Sequence, residues 1–413
     1  MRQYLQYPVD AVKYARWITR ERLMQWGTFW ALLAVVLLTH NAVAFPVSGV
    51  SRGGDFINYW SGALLADSGR PEIAYDLGPY QTFQQSLVGA AFGWRIYSYP
   101  PVMMLLCWPL ALLSLVRALL AWSLFGIGLC AWSLSRLIGW RMAVVATIGA
   151  PAAFFNLVDG QNGYFSAVLL VWGLTLADRR PVFAGLLLGM LCSKPQLGVL
   201  LPVALVAGRQ WRVLAAAAAC VILMVAASTI LLGPGAWFGF FDQMVLERRL
   251  LQFDNSTWAG MPTVFVLMRM AGTDLPVAYL MQGVSAVSAA AAVAVLWHGR
   301  CSLAVKSAGL AIGTFLVTPH AYYYDMIVLI FAAAWLANEA VKTGFLPWEK
   351  TAILILLILP ALSLLPALAG FQIGPILLWL TMAVILRRGL ACPSLSFPQT
   401  SSFAPHHDSR SPV

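Results

Sequence analysis

WGTFWALLAVVLLTHNAVAF, residues 26–45, contains no Asp, Glu, Lys or Arg in twenty positions. As a helix rising 1.5 Å per residue it is about 30 Å long, the thickness of a bilayer's hydrocarbon core. Apolar runs of similar length recur almost to Arg388. The 413-residue chain is 60% hydrophobic and 10% charged, whereas soluble domains carry about 25% charged residues. These features exclude a water-soluble globule. They define an all-α integral membrane protein, a polytopic helical bundle.

Upstream of this run, residues 1–25 carry five basic side chains, Arg2, Lys13, Arg16, Arg20 and Arg22. The segment is too long for a signal peptide and lacks a small-residue cleavage site, so it reads as a cytoplasmic basic tail. The first crossing then leads outward. Downstream, Pro46 to Tyr97 is the longest polar stretch between apolar runs, an external first loop. Within it, DFINYWSGALLADSG (residues 55–69) places Phe56, Tyr59, Trp60, Ala63 and Leu64 at helical spacing, predicting an amphipathic juxtamembrane helix on the membrane surface.

Ten to thirteen membrane helices are expected in one transmembrane domain over residues 26–388. Two of the apolar segments are short, 182–193 and 196–208, with Lys194-Pro195 between them. A second external loop is expected from Gly233 to Thr263, and a disordered tail rich in Ser, Pro and His over 389–413. If every run crosses, Arg136/Arg141 and Arg179/Arg180 lie outside, against the positive-inside tendency. If 98–115 dips in and returns, or 98–137 crosses once, those arginines come inside with Arg209/Arg212 and Arg300/Lys306. That arrangement, adopted here, brings Asp159-Gly160-Gln161-Asn162 and Lys194 to the outer face beside Asp55.

The net charge of +10 is spread over short loops between apolar runs, a pattern of topology determinants and membrane-lipid contacts that argues against nucleic acid. The six cysteines show no CxxC spacing and read as buried small hydrophobes. There is no Walker loop, DxD or HExxH, and neither a metal nor a cofactor is expected.

Ionisable groups in membrane segments cost roughly 2.5–3.5 kcal/mol at mid-bilayer and persist where they have a task. Asp55, after Gly53-Gly54, suits a helix cap or a general base at the membrane boundary. Lys194 could snorkel to headgroups, or hold a phosphate. His320, in Thr318-Pro319-His320-Ala321-Tyr322-Tyr323-Tyr324-Asp325, fits an aromatic interfacial belt or a phosphate partner beside sugar-stacking tyrosines. Gln161-Asn162 is either a turn or an amide pair for sugar hydroxyls or phosphate oxygens.

The ordered set resembles glycosyltransferase family 87, of the GT-C superfamily. The resemblance is carried by Asp55-Phe56-Ile57-Asn58-Tyr59-Trp60, Gly69-Arg70-Pro71, Tyr97-Ser98-Tyr99-Pro100-Pro101, Gly160-Gln161-Asn162, the segment from Ala184 to Lys194-Pro195, and Thr318-Pro319-His320. It implies a metal-independent enzyme that moves a sugar, commonly mannose, from a polyprenyl-phosphate donor to a lipid or glycan acceptor, with inversion, outside the cytoplasmic membrane. Asp55 corresponds to the family's general base. Lys194 and His320 would steady the leaving phosphate, and Gln161, Asn162, Tyr59, Tyr99 and Tyr323 would contact sugar or acceptor. Two rival readings are a transporter or flippase of lipid-linked sugars and a lipid-linked oligosaccharide ligase or polymerase.

Overall fold

The computed structural model describes residues 9–44, 54–93 and 95–391, without the side chains of 38–44. The first eight residues, Gly53 and the tail from 392 onward lie outside it. Helix α1 (Arg20–Ala44) covers the stretch expected as the first crossing up to Ala44 and begins six residues upstream of it. The segment before it is docked on the bundle. Ala15 and Ile18 are buried, the Trp348 amide donates to the Lys13 carbonyl at 2.6 Å, and Lys350 Nζ donates to the Ile18 carbonyl at 3.2 Å.

After α1, three short helices build an aromatic layer: α2 (Phe56–Asp67), α3 (Leu77–Val88) and α4 (Pro101–Cys107). The helix read at residues 55–69 is present as α2, but ten of its twelve residues are buried, so it does not lie on the membrane with one face free. Its aromatic residues share one face, and Asn58, Ser61, Gly62 and Leu65 are buried on the remaining sides. Phe56 and Tyr59 meet Trp122, and Tyr59 packs on Tyr99. Asn58 fastens the layer: its Oδ1 accepts from the Tyr80 hydroxyl and Gln84 Nε2, each at 3.0 Å, and its Nδ2 donates to the Ile96 carbonyl at 3.1 Å. The amphipathic pattern falls to α3, where Tyr80 and Gln84 are the buried residues.

α4 runs into a 3-10 turn ending at Leu112, twelve apolar residues that are too short to span about 30 Å. Between residues 98 and 138 only α5 (Leu115–Ile138) is long enough to cross. α6 (Trp140–Gly149) and α7 (Pro151–Asp159) meet at a 59° bend where Pro151 follows Ala150. α8 (Gly163–Leu176) leads to α9 (Pro181–Gly189) and α10 (Leu201–Ala207), which are separated by 3-10 turns around Lys194. α11 (Trp211–Leu232) is followed by α12 (Pro234–Phe253) and α13 (Val264–Met270), then by α14 (Leu275–His298) and α15 (Leu303–Val317). α16 (Ile327–Thr343), α17 (Glu349–Leu368) and α18 (Gly374–Ala391) complete the bundle.

Among the helices described in full, six are long and apolar enough to cross a membrane, and the bent α6–α7 pair would make a seventh. That is fewer than the apolar runs predict, because several runs are broken at proline or turn residues into shorter helices. Two-thirds (67%) of the spanning window that contains α16 is buried, making it the bundle's axis, whereas only 17% of the α11 window is buried, placing α11 at the periphery. The expected loop from Gly233 to Thr263 is largely the twenty-residue α12. Its Phe238 and Phe241 are exposed, while Phe240 packs on Tyr75.

Candidate active site

The site is organised by the turn between α7 and α8. Gly160 adopts a left-handed φ of +61°, ending α7 so that Gln161 and Asn162 turn back toward the core. A Cβ on Gly163 would lie 2.2 Å from the Tyr324 carbonyl oxygen, so glycine at this position lets the loop before α16 settle onto the turn.

Each amide then holds one ionisable group. Gln161 Nε2 donates to Asp55 Oδ2 at 2.8 Å. Its Oε1 accepts from the Tyr59 hydroxyl at 2.7 Å and the Tyr99 hydroxyl at 3.0 Å. Two phenol donors on one side and a carboxylate on the other leave the amide a single orientation. Asn162 Oδ1 accepts from Lys194 Nζ at 2.8 Å. Lys194 also pairs with Asp325, and its Nζ lies 5.0 Å from the Tyr324 ring centroid. Neighbouring amides thus tie the carboxylate to the lysine.

These contacts fit neither a helix cap at Asp55 nor a snorkelling Lys194. Asp55 occupies the N-cap position of α2 but makes no side-chain capping bond; it faces Gln161 and Arg95, whose Nε is 3.6 Å from Oδ1. Lys194 is 2% exposed and so does not snorkel. The residue before a proline is driven out of helical geometry, and Lys194 sits at φ −141°, ψ 72°, which turns its side chain inward from the helix break.

Asp55, Lys194 and His320 all line one cavity of about 1030 Å³, as do Tyr99 and Tyr323. Tyr59, Gln161 and Asn162 lie behind its wall, almost fully buried. Tyr323 turns its hydroxyl away, where it accepts from Ser363 at 3.0 Å and Gln372 at 3.2 Å. Its neighbours present their faces instead. Tyr322 stacks on Tyr324 with centroids 5.0 Å apart, and His320 meets Tyr322 edge-on at 5.2 Å.

Burial pushes the Asp55 carboxyl up from the ordinary carboxylate range, against the opposing pull of Gln161, Arg95 and Lys194, although a third of the side chain (33%) remains exposed. Burial moves His320 down, with Asp325 opposing and Lys194 reinforcing. The shift favours the neutral imidazole.

Arg95, Asp159, Glu247, Arg248 and Tyr322 also line the cavity but stood out only weakly, or not at all, in the sequence. Glu247 and Arg248 belong to α12, which reads as a polar loop. Asp325 was visible at the end of the tyrosine run, though nothing marked it as the partner of Lys194. Glu247 Oε1 is buried without a hydrogen-bond partner among the described residues. The Ser98 hydroxyl lies against its carboxylate, and burial raises its pKa.

The fold and cavity define a polytopic membrane protein with a polar chamber walled by helix ends and interrupted helices. The family model of glycosyltransferase family 87 matches residues 97–319, more than half of the chain, and the chain belongs to that family; it is a glycosyltransferase. The match takes in Tyr99, Gln161, Asn162 and Lys194, stops one residue short of His320 and begins after Asp55. No curated protein and no solved structure matches.

Proposed function

We propose that this glycosyltransferase transfers a monosaccharide, mannose foremost, from a polyprenyl-phosphate donor to a lipid or glycan acceptor on the outer side of the cytoplasmic membrane. The observation that carries the reading is the Gln161–Asn162 pair, which sets a carboxylate and a buried ammonium on one cavity. Asp55 takes the proton from the acceptor hydroxyl as its oxygen attacks the anomeric carbon. The bond from that carbon to the phosphate oxygen breaks, its electron pair leaves with the phosphate, and free polyprenyl phosphate departs. Attack opposite the leaving group inverts the anomeric centre.

Lys194 has three N–H donors. Two are directed to Asn162 and Asp325, leaving one for a phosphate oxygen. His320 donates a second hydrogen bond, and the arriving anion favours its protonation. Preorganised donors at the developing charge supply several kcal/mol of transition-state stabilisation. Tyr59, Tyr99, Gln161 and Asn162 act by positioning the two reacting groups, while Tyr322 and Tyr324 offer stacking faces to a sugar. Glu247 offers its carboxylate to sugar hydroxyls.

Sidedness rests on charge. Arg20, Arg141, Arg179, Arg209 and Arg300 lie at or beside helix ends away from the cavity, which under the positive-inside tendency faces the cavity outward. Polar groups gathered at one end, rather than at mid-membrane, favour this enzyme over a transporter. Purified protein given radiolabelled polyprenyl-phosphate mannose should release polyprenyl phosphate and form a mannoside of the opposite anomeric configuration. Retention of configuration, or transport of the lipid without consumption, would overturn the proposal.

A further inference from the structure

A second large concavity lies toward the opposite end of the bundle. α1 and α6 cross in backbone contact, such that a Cβ on Gly149 would lie 2.2 Å from the Gly27 carbonyl oxygen. Toward the start of α1 the helices part, leaving a groove of about 970 Å³ bounded by α1, α6, α16 and α17.

Its polarity is graded from end to end. The Arg20 guanidinium lies beside Gly139, Asn338 Nδ2 donates to the Leu137 carbonyl at 2.8 Å, and Lys350 Nζ donates to the Ile18 carbonyl at 3.2 Å. These contacts gather the groove's polar side chains at one end. From Gly27 and Trp30 to Ile330 and Ile358 the opposite end is lined by apolar groups. Among the described residues, Arg20 and Lys350 are the cations of its lining, and no carboxylate lines it. From Arg20 to Trp30 the groove extends roughly 15 Å along α1, about one leaflet of hydrocarbon.

We propose that this groove binds one anionic membrane phospholipid, its phosphate between Arg20 and Lys350 and its acyl chains along the apolar end. A zwitterionic lipid would bring its own ammonium group toward two cations with no carboxylate to receive it, so the charge pattern selects an anion. Trp17 and Trp26, with ring centroids 5.8 Å apart, line the groove toward its polar end, as indoles do at the membrane boundary. Basic pockets between membrane helices are a recurrent lipid-headgroup site. The inference is independent of the proposed donor and of the transfer reaction.

The test uses the full chain in detergent, titrated with phosphatidylglycerol and with phosphatidylcholine and read by native mass spectrometry. Each basic residue near the headgroup contributes on the order of a fivefold gain in affinity. The wild type should therefore bind phosphatidylglycerol at least about tenfold more tightly than phosphatidylcholine, and Arg20→Gln/Lys350→Gln should lose that preference while keeping its transferase activity. Equal affinity for the two lipids in the wild type, or an unchanged preference in the double variant, would overturn the proposal. A photo-crosslinking residue at Leu354 supplies a second reading that does not depend on those substitutions. An adduct with the mass of one phospholipid supports the site, whereas a link to the chain's own termini or to a second copy overturns it.

Discussion

Replacing Gln161 with leucine removes the only side-chain amide that donates to Asp55 among the described residues, while keeping similar bulk. A hydrogen bond to a charged group is worth about 1.5–3 kcal/mol. Because a third of the Asp55 side chain meets solvent, the lower end applies, and 1.36 kcal/mol corresponds to one pKa unit. The lost donor had been lowering the pKa, so the pKa rises by about one unit. Asp55 accepts a proton only as the carboxylate, so transfer increases as pH rises through that pKa. Gln161→Leu should therefore move the acidic limb of kcat/KM about one unit toward higher pH and recover much of the wild-type rate on the alkaline side. The assay is radiolabelled transfer from polyprenyl-phosphate mannose across the pH range, with thermal unfolding as a control for the two phenols that lose their acceptor. An unmoved limb, or a uniform loss of rate at every pH, would refute the role of Gln161 in setting the base.

Asp325→Asn leaves the buried Lys194 without its counter-ion and should lower stability by about 3–5 kcal/mol in thermal or chemical unfolding; Lys194→Met/Asp325→Leu should regain most of that without regaining transfer. Gly163→Ala drives a methyl group against the Tyr324 carbonyl, and should reduce kcat at least about tenfold through displacement of the Tyr324–Asp325 wall, with donor KM altered as well. Glu247→Gln should raise KM for one sugar-bearing substrate by about tenfold with kcat within twofold, as measured by varying donor and acceptor separately; unchanged KM on both axes would remove Glu247 from sugar binding.

The membrane class, the principal helices and the grouping of Asp55, Lys194 and His320 were all legible in the sequence. Long uncharged runs and isolated polar groups between them are both local signals. The burial of α2 was not legible, since its apolar spacing suits one packed face as well as several, and only the aromatic layer around it decides. The nature of α12 was hidden because charged residues near its end masked the helical spacing of Phe238, Phe241 and Val245. The Lys194–Asp325 pair joins positions 131 residues apart, and no spacing rule reports such a contact. The placing of Gln161 and Asn162 behind the cavity wall likewise depends on which phenols and charges the fold brings beside them.

The most direct measurement compares Asp55→Asn with the wild type for transfer and for donor binding in lipid nanodiscs. The account predicts at least a hundredfold loss of transfer, on the scale of general-base catalysis, with the dissociation constant for polyprenyl-phosphate mannose within about twofold of wild type. Transfer at the wild-type rate by Asp55→Asn would contradict it.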